Sequence, residues 1–193
     1  DGMGLSRFKV ARLLKQSVRE GIVKFEIATP DSFNSELSEI VRKRFGLRRV
    51  VVIDVPDEER TPAGIRQAVG RGAAAVLSDL VSETDVLGIG WGRTLSAMSL
   101  ELTEIARCLV VQMGGMVGSV AENSLELVRK ISEVGGGQAY PLFVPLVVQD
   151  ALTARSLAGQ PGVAAAMKLF DSITVAAVAV GSWDPPDSQM MAS

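Results

Sequence analysis

Histidine is absent from all 193 residues, and cysteine occurs once, at Cys108. The first absence excludes a Ser-His-Asp triad, a Cys-His pair and any His-ligated metal site. The second excludes an internal disulfide and a zinc site of clustered cysteines. Carboxylate, lysine, serine, threonine and backbone amide remain for any chemistry, and neither a cofactor nor a metal is expected. Long apolar runs are missing too. The longest near-apolar stretch, residues 173–180, falls far short of the ~18–20 residues that cross a bilayer, so no membrane partner is expected. The N-terminus is polar and basic, with no uninterrupted apolar h-region of a signal peptide. One cysteine suits a reducing compartment, and the simplest expectation is a cytoplasmic protein. The chain opens on Asp1 rather than Met, as a processed or trimmed chain does.

The length fits one domain, or one domain with a small appendage. The apolar fraction is 47% and the mean hydropathy is +0.27, so the chain can bury a sizeable core. The net charge of −2 hides an asymmetry: residues 1–49 hold eleven Lys+Arg and six Asp+Glu, a net of +5, whereas residues 50–193 hold nine and sixteen, a net of −7. Between Leu5 and Lys24, six cations (Arg7, Lys9, Arg12, Lys15, Arg19, Lys24) stand against Glu20 alone. Two readings fit: a polyanion-binding element attached to an acidic body, or a solvated helix face.

Val10, Leu13, Leu14 and Val18 recur at helical spacing, with Ser6 as N-cap and Gly21 as stop, which predicts a helix over 7–20. Lys9, Arg12, Lys15 and Arg19 fall on its opposite side with Phe8 among them. Residues 22–27 read as a short strand and 28–32 as a hinge. Further helices are expected over 33–44, 65–81, 94–105, 122–134, 150–157 and 163–170. Strands are expected over 48–55, 85–90, 107–113, 139–144 and 173–180. Strands that are continuous Val/Ile/Leu runs and alternate with helices predict an α/β fold with a parallel sheet covered on both faces. Their order in the sheet is not legible.

A glycine turn, a serine cap and a basic amphipathic helix are what the second helix of a helix-turn-helix needs, and the strand over 22–27 can serve as a wing. Ser6, Arg7, Phe8, Lys9, Arg12 and Lys15 are the candidate DNA contacts. A second segment, Gly88-Ile-Gly-Trp-Gly-Arg-Thr-Leu95, reads strand, glycine-rich turn, helix start. Such a turn brings backbone amides close to an anion, and Arg93 and Thr94 can add a guanidinium and a hydroxyl. It is not a dinucleotide fingerprint, because Arg93 takes the third glycine position and no acidic residue ends the next strand. It is not a Walker loop either, since no Gly-Lys-Ser/Thr occurs. Gln112-Met-Gly114-Gly115 and Val180-Gly181 end two more expected strands. In open parallel sheets ligands sit outside strand C-termini, so these glycine-bearing ends can rim one pocket; each alone can also be a plain turn. Arg155 can reach that crevice or face solvent. Trp91 and Trp183 sit beside glycines at strand ends, where rim or core packing suits Trp183. Cys108 reads as inert filler of a buried strand.

Leu5-Ser-Arg-x-x-Val-x-Arg-Leu-Leu-Lys15 followed by Glu20-Gly-Ile-Val23 resembles the recognition helix of SorC-type regulators, the sorbitol- and deoxyribonucleoside-operon repressor family. Gly88 to Leu95, Val110-Val-Gln-Met-Gly-Gly115, Tyr140-Pro-Leu-Phe-Val-Pro145 and the strand from Asp171 to Gly181 resemble its sugar-binding domain. The resemblance covers nearly the whole chain. It implies a Rossmann-like parallel sheet similar to sugar-phosphate isomerases, preceded by part of a winged helix-turn-helix. The implied domains are 1–28 for the DNA-reading part, 29–36 for a linker and 37–193 for the effector domain, incomplete at its C-terminus. The implied partners are operator DNA, a phosphorylated sugar effector and further copies of the chain, as a dimer or tetramer. On the matching positions the phosphate would sit on Gly90, Gly92, Arg93 and Thr94, beside Trp91. Gln112, Gly114, Gly115 and Gly181 would line the sugar side, with Arg155 near. Against the family pattern, the chain starts inside the helix-turn-helix and stops before the last elements of the effector pocket.

A sugar-phosphate isomerase or deaminase is the alternative that shares this architecture. It needs a positioned acid/base pair, and the nearest carboxylates, Asp150 and Asp171, have no evident partner in the sequence. A non-catalytic oligomerisation module is the other alternative. The expectation is a regulator, not an enzyme.

Overall fold

A computed structural model describes residues 33–116 and 124–181. The candidate DNA contacts Ser6, Arg7, Phe8, Lys9, Arg12 and Lys15 lie outside the described residues, as do the whole 1–28 segment and Trp183.

The first described helix, α1 (Ser35–Phe45), begins where Asn34 caps it: its side-chain oxygen accepts from the Leu37 N–H at 2.8 Å. Glu36 in the first turn and Arg42, Lys43 and Arg44 in the last suit the helix dipole, and Gly46 closes it in the left-handed region at φ +63°. The helix therefore starts within the stretch expected as linker. Helix α2 (Pro62–Leu80) starts on a Thr61 cap with Pro62 at the first position, where a missing N–H costs nothing.

The expected strand over 48–55 does not form as a ladder. It makes one isolated antiparallel bridge, Phe33 with Ile53. Its backbone is held by a helix instead: Asn34 N–H donates to the Val52 carbonyl at 2.9 Å, and Val52 N–H donates to Ser38 Oγ at 2.9 Å. Its apolar side chains lie on α2, where a Cβ on Gly72 would stand 2.9 Å from Ile53 Cδ1. The run is apolar because it is sandwiched between helices.

The sheet comprises β1 (Val86–Ile89), β2 (Leu109–Gln112), β3 (Ala139–Tyr140) and β4 (Val175–Ala177), in the order β3-β2-β1-β4, all parallel. Between them come α3 (Arg93–Glu101), α4 (Ser124–Gly135), α5 (Ala151–Ala158) and α6 (Pro161–Met167). The two-sided pattern is visible along each strand. Leu87, Ile89 and Val110 join Leu77, Leu95, Met98, Leu127, Val128 and Ile131 under α2, α3 and α4. Val111 points the other way, to Leu142, Val163 and Ala166 near α6. The second layer is the thinner, and Phe143 and Val147 stay exposed.

Three elements are shorter than expected, each for a local reason. β3 stops at Tyr140 because Pro141 has no N–H for a ladder. β4 stops at Ala177, whose carbonyl takes the last bond of the β1–β4 pairing, from the Gly90 N–H. α3 stops at Glu101, and Leu102 leaves in an extended conformation that carries it into the core.

Candidate functional site

β1 has β2 on one side and β4 on the other, so the order in which successive strands are added to the sheet reverses between β1 and β4, while all strands stay parallel. Beyond the C-termini of strands flanking such a reversal there is a crevice, and open α/β sheets hold their ligands there. The glycine-rich turn falls at this place. Gly90 N–H donates to the Ala177 carbonyl at 2.9 Å, carrying the β1–β4 pairing one residue past the strand. Gly92 then takes φ +145°, which L side chains rarely adopt, and a Cβ there would stand 2.9 Å from the Ala179 Cβ. Glycine is required twice over, by conformation and by space.

α3 starts immediately afterwards. Gly92 brings no side-chain cap, and the first turn carries no acidic residue but does carry Arg93. At this place the guanidinium of Arg93 can add to the helix N-terminal N–H groups in holding an anion. Arg93 and Thr94 are both half-buried.

The neighbouring rim is tied to this turn. Met113 N–H donates to the Ile89 carbonyl at 2.9 Å. The Trp91 ring lies at ordinary contact distance from Gly114, 3.5 Å from where a Cβ would be, and so spans the β1 and β2 turns. At Gly115 a Cβ would stand 2.5 Å from the Pro145 carbonyl oxygen, so only glycine allows the third segment to approach. Met116 and Leu146 then exchange hydrogen bonds with that segment: Met116 N–H donates to the Val144 carbonyl and Leu146 N–H to the Met116 carbonyl.

Gln112 sits beneath the rim, fully closed to solvent. Its Nε2 donates to the Gly114 carbonyl at 2.6 Å, and its Oε1 accepts from the Leu142 N–H at 3.1 Å. The amide thus replaces the ladder that Pro141 interrupts. Gln112, expected on the sugar side, thereby positions the rim backbone.

The structure brings together Gly90, Trp91, Gly92, Arg93, Thr94, Gly114 and Gly115. Gly181 follows two residues after Ala179, exposed. Arg155 is exposed on α5, which packs on α6. Sequence reasoning missed Ala177, Ala179 and Val144–Pro145, which contribute backbone and so leave little side-chain signal. Asp150 caps α5, accepting from the Thr153 N–H at 2.8 Å and its Oγ1 at 2.9 Å, which holds it below the usual carboxylate range. Burial pushes the Cys108 thiol up, which suits an inert side chain. No group of three or more His, Cys, Asp or Glu among the described residues can hold a metal ion.

The family described as "Putative sugar-binding domain" matches residues 30–193. The chain belongs to this SorC-type sugar-binding domain family. The uncharacterised transcriptional regulator YjhU of Escherichia coli K12 is 28% identical to this SorC-type chain over 192 residues, which is 93% of the chain and 57% of that protein. The deoxyribonucleoside regulator of Bacillus subtilis is 27% identical over 150 residues, covering 76% of the chain and 47% of that protein. The SorC-type chain therefore spans about half the length of these relatives. The full-length sorbitol operon regulator SorC of Klebsiella pneumoniae superposes with a TM-score of 0.67 at 20% identity, over 91% of this chain and 57% of that one. At that identity the likeness concerns the fold, and it agrees with the parallel sheet described above. The relatives are named as regulators, not as enzymes. No helix among the described residues is long and apolar enough to cross a membrane.

Proposed function

We propose that this SorC-type chain is the sensing part of a transcription regulator whose operator affinity is set by a phosphorylated sugar. The phosphate occupies the turn from Gly90 to Thr94 at the β1–β4 reversal, and the sugar lies toward Gly114, Gly115 and Gly181. Arg155 closes the anion side. The observation that carries this reading is the Gly92 turn: a glycine-only conformation that opens α3 with Arg93 and Thr94 beside its N-terminal N–H groups. Residues 1–28, with Ser6, Arg7, Phe8, Lys9, Arg12 and Lys15, read the operator. The protein works in the cytoplasm as an oligomer and catalyses nothing; the capping role of Asp150 supports this reading over an isomerase.

The physical mechanism is linkage. The effector favours one arrangement of the regulator, and operator affinity changes by the same coupling free energy, typically ~1–3 kcal/mol. An operator-shift assay on the complete regulator tests it. Arg93→Ala should abolish the response to sugar phosphates while leaving effector-free operator affinity within about twofold. An unchanged response would remove the phosphate from this turn.

A further inference from the structure

α1 is the outer layer of the described structure. It is fastened to the 51–54 segment by Asn34 and Ser38, and Ser38 is its buried residue. Asn34 Nδ2 adds a hydrogen bond to Asp54 at 3.1 Å. With Ser38 facing inward, a step of about 100° per residue turns Glu36, Leu37, Ile40 and Arg44 away from the body. Leu37 is 42% and Ile40 54% exposed, and Phe45 at the end of the helix is 69% exposed. Glu36, Ile40 and Arg44 form one row at spacing four on the outer face, with Leu37 at its edge.

The charges on the helix divide into two sets. Glu39 is satisfied within α1, pairing with Arg42 at 2.7 Å and Lys43 at 3.3 Å. Glu36 and Arg44 have no ion pair among the described residues, and they flank Ile40 at equal spacing, about 6 Å along the axis on either side. A row that reads acid, apolar, base is complementary to itself when reversed. It is not complementary to itself in parallel, where acid would meet acid.

We infer that α1 is a self-association surface that packs antiparallel on α1 of a second copy of this chain, about a two-fold axis through Ile40. Helices that interdigitate their spacing-four rows lay those rows side by side, crossing near −50°. Glu36 of each copy then meets Arg44 of the other, twice, around a centre of Ile40 with Leu37 at its edge. Antiparallel pairing also opposes the helix dipoles. The occupant is fixed by this charge order. Since α1 follows directly on the basic N-terminal segment, such a pair would join two of those segments in one assembly, as two-fold DNA half-sites require. The inference does not depend on which ligand the sheet crevice takes.

Sedimentation equilibrium of the 193-residue chain up to about 100 μM, with far-UV circular dichroism alongside, tests it. The wild type should dimerise. Ile40→Glu should be monomeric with an unchanged spectrum. Glu36→Arg and Arg44→Glu should each weaken the dimer about tenfold, because every change counts twice across the axis. The double variant E36R/R44E should return to within about threefold of wild type. That recovery is decisive: the double variant sets both charges against the helix dipole, so an isolated α1 becomes worse, and only a pair across the axis can restore association. A monomeric wild type, an Ile40→Glu variant that folds and dimerises normally, or a double variant as weak as the two singles combined would overturn the proposal. If Ile40→Glu fails to fold, the charge series decides alone.

Discussion

The side-chain oxygen of Gln112 accepts a hydrogen bond from the Leu142 N–H at 3.1 Å, in a place fully closed to solvent. This one contact fastens the segment after β3 to the end of β2 at the point where Pro141 breaks the ladder. The other end of the same amide holds the Gly114 carbonyl. One polar side chain therefore sets the spacing of two rim segments.

Replacing Gln112 by Leu keeps the volume and removes both bonds. A buried group left unsatisfied costs about 1–3 kcal/mol, so Gln112→Leu should lose about 2–4 kcal/mol of unfolding free energy. A urea titration measures this, and a loss within experimental error would show that the amide does not hold the rim.

Gly92 and Gly136 both have positive φ, +145° and +66°, but differ in their surroundings. Nothing lies within 4 Å of a Cβ on Gly136, whereas a Cβ on Gly92 meets Ala179. Gly136→Ala should cost about 1 kcal/mol, the ordinary penalty of a left-handed alanine, and spare ligand binding. Gly92→Ala should cost more and abolish binding, because the turn cannot keep its shape. Thermal melts with and without a sugar phosphate separate the two; equal effects would count against the Gly92 turn as the site.

At the opposite end of the sheet, Asp85 accepts from Ser82 Oγ at 2.6 Å, the Ser82 N–H at 2.8 Å and Thr174 Oγ1 at 2.7 Å. These bonds hold its carboxyl below the usual range. A folded-state value below the unfolded one contributes stability that is complete above the unfolded value and is lost as pH falls through the folded value. Glu39, lowered to about 2 by Arg42 and Lys43, and Asp150 act in the same direction. The urea midpoint should therefore hold between neutral pH and about pH 5 and fall below about pH 4. Asp85→Asn should start lower at neutral pH and fall less steeply in acid. A variant curve parallel to wild type would remove Asp85 from this account.

The parallel sheet was legible because each buried strand is a short Val/Ile/Leu run between helical stretches. The glycine-rich turn was legible because its residues are unusual in type. The 48–55 run misled because a segment buried between two helices needs the same apolar residues as a strand. The bonds of Gln112 were not legible: sequence shows an amide at a strand end and cannot show that Pro141 leaves a hydrogen bond for it to fill. Ala177 and Ala179 were invisible because they contribute a carbonyl and a small surface. Strand order, which creates the reversal beside β1, depends on crossovers that no local pattern encodes.

The most direct measurement is a calorimetric titration of the complete regulator with pentose and hexose phosphates and with the same sugars unphosphorylated, in the wild type and in Arg93→Ala. The account predicts binding of at least one phosphorylated sugar by the wild type, none of its unphosphorylated form, and a loss of at least about tenfold in affinity in Arg93→Ala, as expected when a charged hydrogen-bonding partner is removed. Equal binding of both sugar forms, or an affinity unchanged by Arg93→Ala, would contradict it.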